Sequence, residues 1–177
     1  FDVSGDIHNA GILSLNSAVS ATRLGMEGSG ASRDGGGTVQ MNGSQAIIDR
    51  VSGTHTLSIL DQTIEGRGNI GNNTIQVQNS SDGTIDANST GNTLLLDPFN
   101  TAAPDDFDNE GTLQASNGGI LEVTGSGNGQ FDNTGGLIQA TSGGTVRFNA
   151  GADVTGGTIA DNSGTVEVNA GTDAFFR

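Results

Sequence analysis

One pattern is written three times between Phe107 and Val168. Phe107-Asp108-Asn109-Glu110-Gly111-Thr112-Leu113-Gln114-Ala115 leads, through a Ser116-Asn117-Gly118-Gly119 turn, into Ile120-Leu121-Glu122-Val123. Phe131 to Ala140, a Thr141-Ser142-Gly143-Gly144 turn and Thr145-Val146-Arg147-Phe148 follow the same order. A more worn copy runs from Val154 to Ala160, through Asp161-Asn162-Ser163-Gly164, to Thr165-Val166-Glu167-Val168. Ile7 to Leu15 lines up with Phe107 to Ala115 without a gap, in the form apolar, any, Asn, any, Gly, any, Leu. A period of roughly 20–25 residues is too short for a unit that buries its own apolar face, so the units must stack on one another.

The stacking elements are strands. Hydrophobic residues make up only 32% of the chain and the formal net charge is -14, a combination that can signal disorder. Here the apolar residues alternate instead, as in Ile75-Gln76-Val77, Leu121-Glu122-Val123 and Val166-Glu167-Val168, which is the strand signature. No window carries the helical i, i+3, i+4, i+7 spacing, and Gly, Asn, Ser and Thr interrupt at short intervals. The expected fold is an all-β, right-handed parallel β-helix (β-solenoid) of about seven coils of roughly 20–28 residues, spanning 1–177 as one domain. Leu113, Ala115, Leu121, Val123, Val146, Phe148 and Ile159 should point inward, and Thr112, Gln114, Glu122, Arg147 and Glu167 outward. Asn9, Asn79, Asn109 and Asn133 each precede a glycine-bearing corner, and a structural ladder of stacked asparagines is expected there. An antiparallel meander could use Asn117-Gly118-Gly119 as a hairpin turn. Against it, there is a third strand slot (Phe107, Phe131, Val154), and residue types recur at the full period rather than mirrored about turns.

Two segments break the rhythm. Residues 28–37, a Gly/Ser run with Arg33 and Asp34, are expected as an irregular exposed loop. Residues 97–106 hold both prolines, Pro98 and Pro104, and are expected as an excursion from the stack. A strand is expected over 19–26, on Val19, Ala21, Leu24 and Met26, and further short strands at 63–66 and 68–71 with glycine at each corner.

Asp61 to Asn73, Gly83-Thr84-Ile85-Asp86-Ala87-Asn88, Thr93 to Pro98 and Asn109 to Ala115 together resemble the degenerate repeats of long bacterial exoproteins. These are β-helices of the adhesin, filamentous-haemagglutinin-like and autotransporter-passenger type, and the resemblance runs from about residue 57 to 170. It implies secretion, an extracellular or bacterial cell-surface location and a structural or adhesive role. Partners would then be further solenoid repeats or other copies of the chain, with surface glycans or matrix beside them. It brings no catalytic residues.

The chemistry-bearing residues are sparse. His8 and His55 have no triad or metal partner nearby in sequence, and both are expected as surface histidines. Asp105, Asp106 and Asp108 form the densest carboxylate cluster and would be the place for calcium, but their spacing is not that of an EF-hand. Asp86, Glu122, Arg147 and Glu167 on outward rows could serve a carbohydrate-active or polysaccharide-binding β-helix, the alternative function. The lack of Trp and Tyr removes the usual sugar-stacking platforms and argues for a non-enzymatic role. Thr84, Thr112, Thr145, Thr158 and Thr165 do not recur as Thr-x-Thr on every coil, as a water-ordering face would require. Six arginines, no lysine and 20 carboxylates exclude a nucleic-acid partner. No apolar run approaches the ~18 residues of a membrane span, and no signal peptide is visible. The first residue, Phe1, is expected to mark a processed or excised product.

Overall fold

The computed structural model describes residues 1–27, 31–53, 55–99, 107–125, 130–149, 151–169 and 175–177. Among them there is no helix. Strands β1 (Asp2–Val3), β2 (Ile7–His8), β3 (Ile12–Leu15) and β4 (Thr22–Met26) open the winding. It continues through β5 (Ala31–Asp34), β6 (Thr38–Arg50), β7 (Thr56–Ile59) and β8 (Thr63–Ile70). Then come β9 (Gln76–Asn79), β10 (Thr84–Ala87), β11 (Thr93–Leu96), β12 (Phe107–Asn109), β13 (Thr112–Ala115) and β14 (Ile120–Val123). The last are β15 (Gln130–Asp132), β16 (Leu137–Thr141), β17 (Thr145–Phe148), β18 (Asp153–Thr155), β19 (Thr158–Asn162), β20 (Thr165–Val168) and β21 (Phe175–Phe176).

Every ladder between these strands is parallel, which rules out the meander. Three stacks form. One face carries β3, β6, β8, β10, β13, β16 and β19; the next carries the second halves of β6 and β8 with β1, β4, β11, β14, β17 and β20. The third is a separate 8-stranded sheet from β2 to β21. Six register steps lead from β3 to β19, so the chain is a parallel β-solenoid of about six turns, slightly fewer than the seven expected. The offset per step varies, from 28 residues between Thr84 and Thr112 to 21 between Leu137 and Thr158. The corners absorb the variation, because a one-residue slip within a strand would turn its apolar residues outward.

The core is one column of side chains running the length of the stack. Leu113, Ala115, Leu121, Val123, Val146 and Phe148 are buried as the alternation requires, and Ile159 packs against them partly buried. Each fully buried aliphatic or Phe contributes about 1.5–3 kcal/mol, so a coil gains most of its stability from neighbours above and below. In the third strand slot Phe107 and Phe131 stack with ring centroids 5.2 Å apart, and Val154 continues their register.

Several expectations need correction. Residues 31–34 are not loop but strand β5, which pairs with β2 and β7. Arg33 is completely buried between Ile7 and Ile59. Its guanidinium donates Nη1 to Ser32 O at 2.9 Å and Nη2 to Met26 Sδ at 2.8 Å. Burial lowers its pKa to about 10. The strand expected over 19–26 begins only at Thr22, leaving Val19 almost fully exposed. The two short strands expected at 63–66 and 68–71 are one, β8, bending through Gly66 and Gly68 at φ of 112° and 135°. Strand β6 likewise rounds the same corner without a break, and these two strands join two faces into one 13-stranded sheet. Of the excursion at 97–106, only 97–99 lies within the described residues.

The corner at β8 is the shortest of its stack. Against β6 below, residues 43–46 face Gly68 alone. Against β10 and β11 above, residues 87–93 face only Gly66 and Arg67. A notch results, with Arg67 on its floor between two glycines.

Candidate functional site

Two rows of polar side chains run along the solenoid, one inside and one outside. The inner row is made of asparagines on the third face. Asn79 Nδ2 donates to Asn109 Oδ1 at 2.8 Å, and Asn109 Nδ2 donates to Asn133 Oδ1 at 2.7 Å. All three side chains are buried. Asn109 thus accepts from the coil below and donates to the coil above. Below Asn79 the slot is held by Ile59, which has no donor, and Asn79 Oδ1 has no partner among the described residues. Above Asn133, the Nδ2 group reaches only the carbonyls of Gly156 and Thr158, at 3.3 and 3.4 Å.

Asn9 is not part of this row. Its Nδ2 donates to Thr38 O at 3.1 Å, a corner bond like those of Asn79 and Asn133. No asparagine follows it in the next two coils. The buried Gln62 fills that space, donating Nε2 to Asn9 O at 3.0 Å and to Asp34 O at 2.5 Å. The strand register explains the break: Ile7 pairs with Arg33, Arg33 with Ile59 and Ile59 with Asn79, so Ile7 shares a column with Asn109 rather than with Phe107. The gap-free sequence match holds on the first face, where Leu13 and Leu113 share a column, and slips by two residues on the third.

The outer row lies on the first face. Gln40 Nε2 donates to Glu65 Oε1 at 3.0 Å; Gln114 Nε2 donates to Asp86 Oδ2 at 2.8 Å; Gln139 Nε2 donates to Gln114 Oε1 at 3.0 Å; Asn162 Nδ2 donates to Gln139 Oε1 at 2.9 Å. At its centre two carboxylates, Glu65 and Asp86, occupy adjacent rungs. Burial raises the Asp86 pKa above the ordinary carboxylate value; bonds from Gln114 and Ser116 work against this, and the neighbouring Glu65 charge adds to it. Rung spacing of ~4.8 Å is near what paired-carboxylate sugar hydrolysis needs. Both groups are already engaged, however, Glu65 with Gln40 and Asn88 and Asp86 with Gln114 and Ser116. The geometry is that of a polar zipper. Beside it runs a contiguous threonine column, Thr38, Thr63, Thr84 and Thr112, whose sequence signal is a Thr placed before an apolar residue just inside each strand.

The remaining candidates are scattered. Asp108 lies on β12 between Gln78 and Asp132, while Asp105 and Asp106 lie outside the described residues. No group of three metal-ligating side chains occurs among the described residues. His8 is exposed and its Nδ1 meets Asp34 Oδ1 at 2.8 Å. His55, expected on the surface, is buried at the start of β7, its Nε2 against Ser52 O. Glu122 and Glu167 flank Arg147, at 3.5 and 2.7 Å, as a salt-bridged column across three successive rungs of the second face. No described helix is long and apolar enough to cross a membrane. Comparison with protein-family models, curated proteins and solved structures returned no match.

Proposed function

We propose that the chain is a non-enzymatic, extracellular structural β-solenoid, a rod segment of adhesive or fibre type that extends by end-on stacking of coils. What supports this is the state of its apolar columns. Leu94, Leu96, Leu121, Val123 and Phe148 in the middle are fully buried, whereas Val168 at one end is 44% exposed and the inward-facing Leu13 at the other is only partly buried. The same columns reach both ends. Leu13 and Ile159 terminate one on the first face, and Val168 continues the Phe148 column on the second. A further coil, in the same polypeptide or a second copy, would cover these side chains and pair the open strand edges, as unprotected edges favour.

Sedimentation velocity and negative-stain electron microscopy of the 177-residue chain test the proposal. Concentration-dependent linear particles are expected, and Ile159→Lys with Val168→Lys should abolish them. A wild-type chain that stays monomeric at high concentration, or linear particles that persist in the double variant, would overturn the reading.

A further inference from the structure

In a chain of charge -14, three of the six arginines meet carboxylates: Arg23 with Asp49, Arg147 with Glu122 and Glu167, and Arg177 with Asp153. Arg33 is buried, and Arg50 lies over the Phe99 ring. Arg67 lines an open groove, the notch made by the short β8 corner. That groove has a volume of about 330 Å³ and is lined by Met41, Asn42, Gly66, Arg67, Asn88 and Ser89, with no carboxylate. Arg67 makes no ion pair among the described residues; its Nη1 donates to Asn92 Oδ1 at 2.7 Å, which anchors the guanidinium to the next coil. The nearest carboxylate in sequence, Glu65, is held by Gln40 and Asn88.

A guanidinium offers five N–H donors in a planar fork suited to a carboxylate or similar oxyanion. One is used on Asn92. Around it stand two side-chain amides and a hydroxyl, groups that both donate and accept, as ring hydroxyls require. A peptide partner would want an apolar subsite as well, and Met41, the groove's one apolar side chain, is fully buried. We propose that the Arg67 notch is a binding site for the carboxylate of an acidic sugar, with Arg67 taking the carboxylate and Asn42, Asn88 and Ser89 taking the hydroxyls. This stands independently of end-on stacking, since the notch lies in the middle of the rod.

The test is an amide-resolved NMR titration of the intact chain with glucuronate, run beside glucose and acetate at matched ionic strength. Glucuronate should produce saturable shifts at Asn42, Arg67, Asn88 and Ser89, and glucose and acetate much weaker ones. Arg67→Gln should weaken binding by about tenfold or more, the loss expected of a charge-assisted fork. Asn42→Asp keeps Arg67 and its anchor on Asn92 but sets a carboxylate on the adjacent rung, where Asn42 pairs with Arg67 in register. Beyond the lost Asn42 Nδ2 bond to Asn16 Oδ1, which shifts the signals around Asn16, it should abolish binding while amide shifts in the other coils stay unchanged. Absence of saturable shifts, equal binding of acetate and glucuronate, or undiminished binding by either variant would each overturn the assignment.

Discussion

Removing the middle rung of the asparagine ladder should cost the solenoid a large part of its stability. In Asn109→Ala, Asn79 Nδ2 loses its acceptor at 2.8 Å and keeps only long contacts to Gly83 O and Thr112 O. Asn133 Oδ1 loses its donor at 2.7 Å. Two buried polar groups are left without good partners, each costing about 1–3 kcal/mol, and a small cavity adds to this. The expected loss is therefore roughly 3–6 kcal/mol, set against a total of about 5–15 kcal/mol for an ordinary domain. Asn109→Asp separates the bond from the volume. The shape is kept, but a carboxylate can accept from Asn79 and cannot donate to Asn133. Burial raises the pKa of the new carboxyl above its unfolded value, so the penalty is full at neutral pH. It shrinks as pH falls through the folded pKa, where the protonated acid can donate again. Urea unfolding followed by far-UV circular dichroism measures both variants against wild type at two pH values, and hydrogen exchange locates the loosened coils. A loss under about 1 kcal/mol for Asn109→Ala, or an Asn109→Asp penalty independent of pH, would refute the ladder's role.

The same linkage governs Asp86 in the outer row and Asp97 just after β11. Asp86 and Asp97 both have pKa values raised by burial, so protonation favours the folded state, and stability should rise as pH falls from neutrality towards their unfolded values. The thermal midpoint should be higher at about pH 5 than at about pH 7, and Asp86→Asn should raise the pH 7 value and flatten the rise; a midpoint that falls on mild acidification would contradict this. Neighbouring glycines offer a second contrast. Gly135 has φ 87° and open space where a Cβ would stand, so Gly135→Ala should cost about 1–2 kcal/mol of backbone strain. At Gly136 a Cβ would collide with Asn109 O and lie 2.7 Å from Asn133 Oδ1, so Gly136→Ala should cost severalfold more; equal urea midpoints for the two would show that the corner relaxes freely.

Much of this architecture is legible in residue order because a solenoid repeats its environment. Leu113, Leu121 and Val146 alternate into a core that each coil rebuilds, and Asn109 and Asn133 recur before a glycine because the same corner recurs. What the order conceals is the register between faces. Asn9 looks equivalent to Asn109, yet corner length shifts its column by two residues, and no local residue announces that. Arg33 is equally opaque, since a charge beside Gly35-Gly36-Gly37 reads as a surface loop. Only the stacking of Ile7 and Ile59 on either side turns Ala31–Asp34 into a core strand. The Arg67 notch follows from three unequal corners compared in space, which a linear motif does not contain.

The unbroken passage of β6 and β8 around one corner has a mechanical side. Where two faces are a single continuous sheet, bending the rod means distorting strands and their hydrogen bonds. From β10 onward every such corner is a separate turn, and turns deform at lower cost. A load along the axis should therefore flex the later coils first and leave the stretch around Arg67 as the stiff part of the rod.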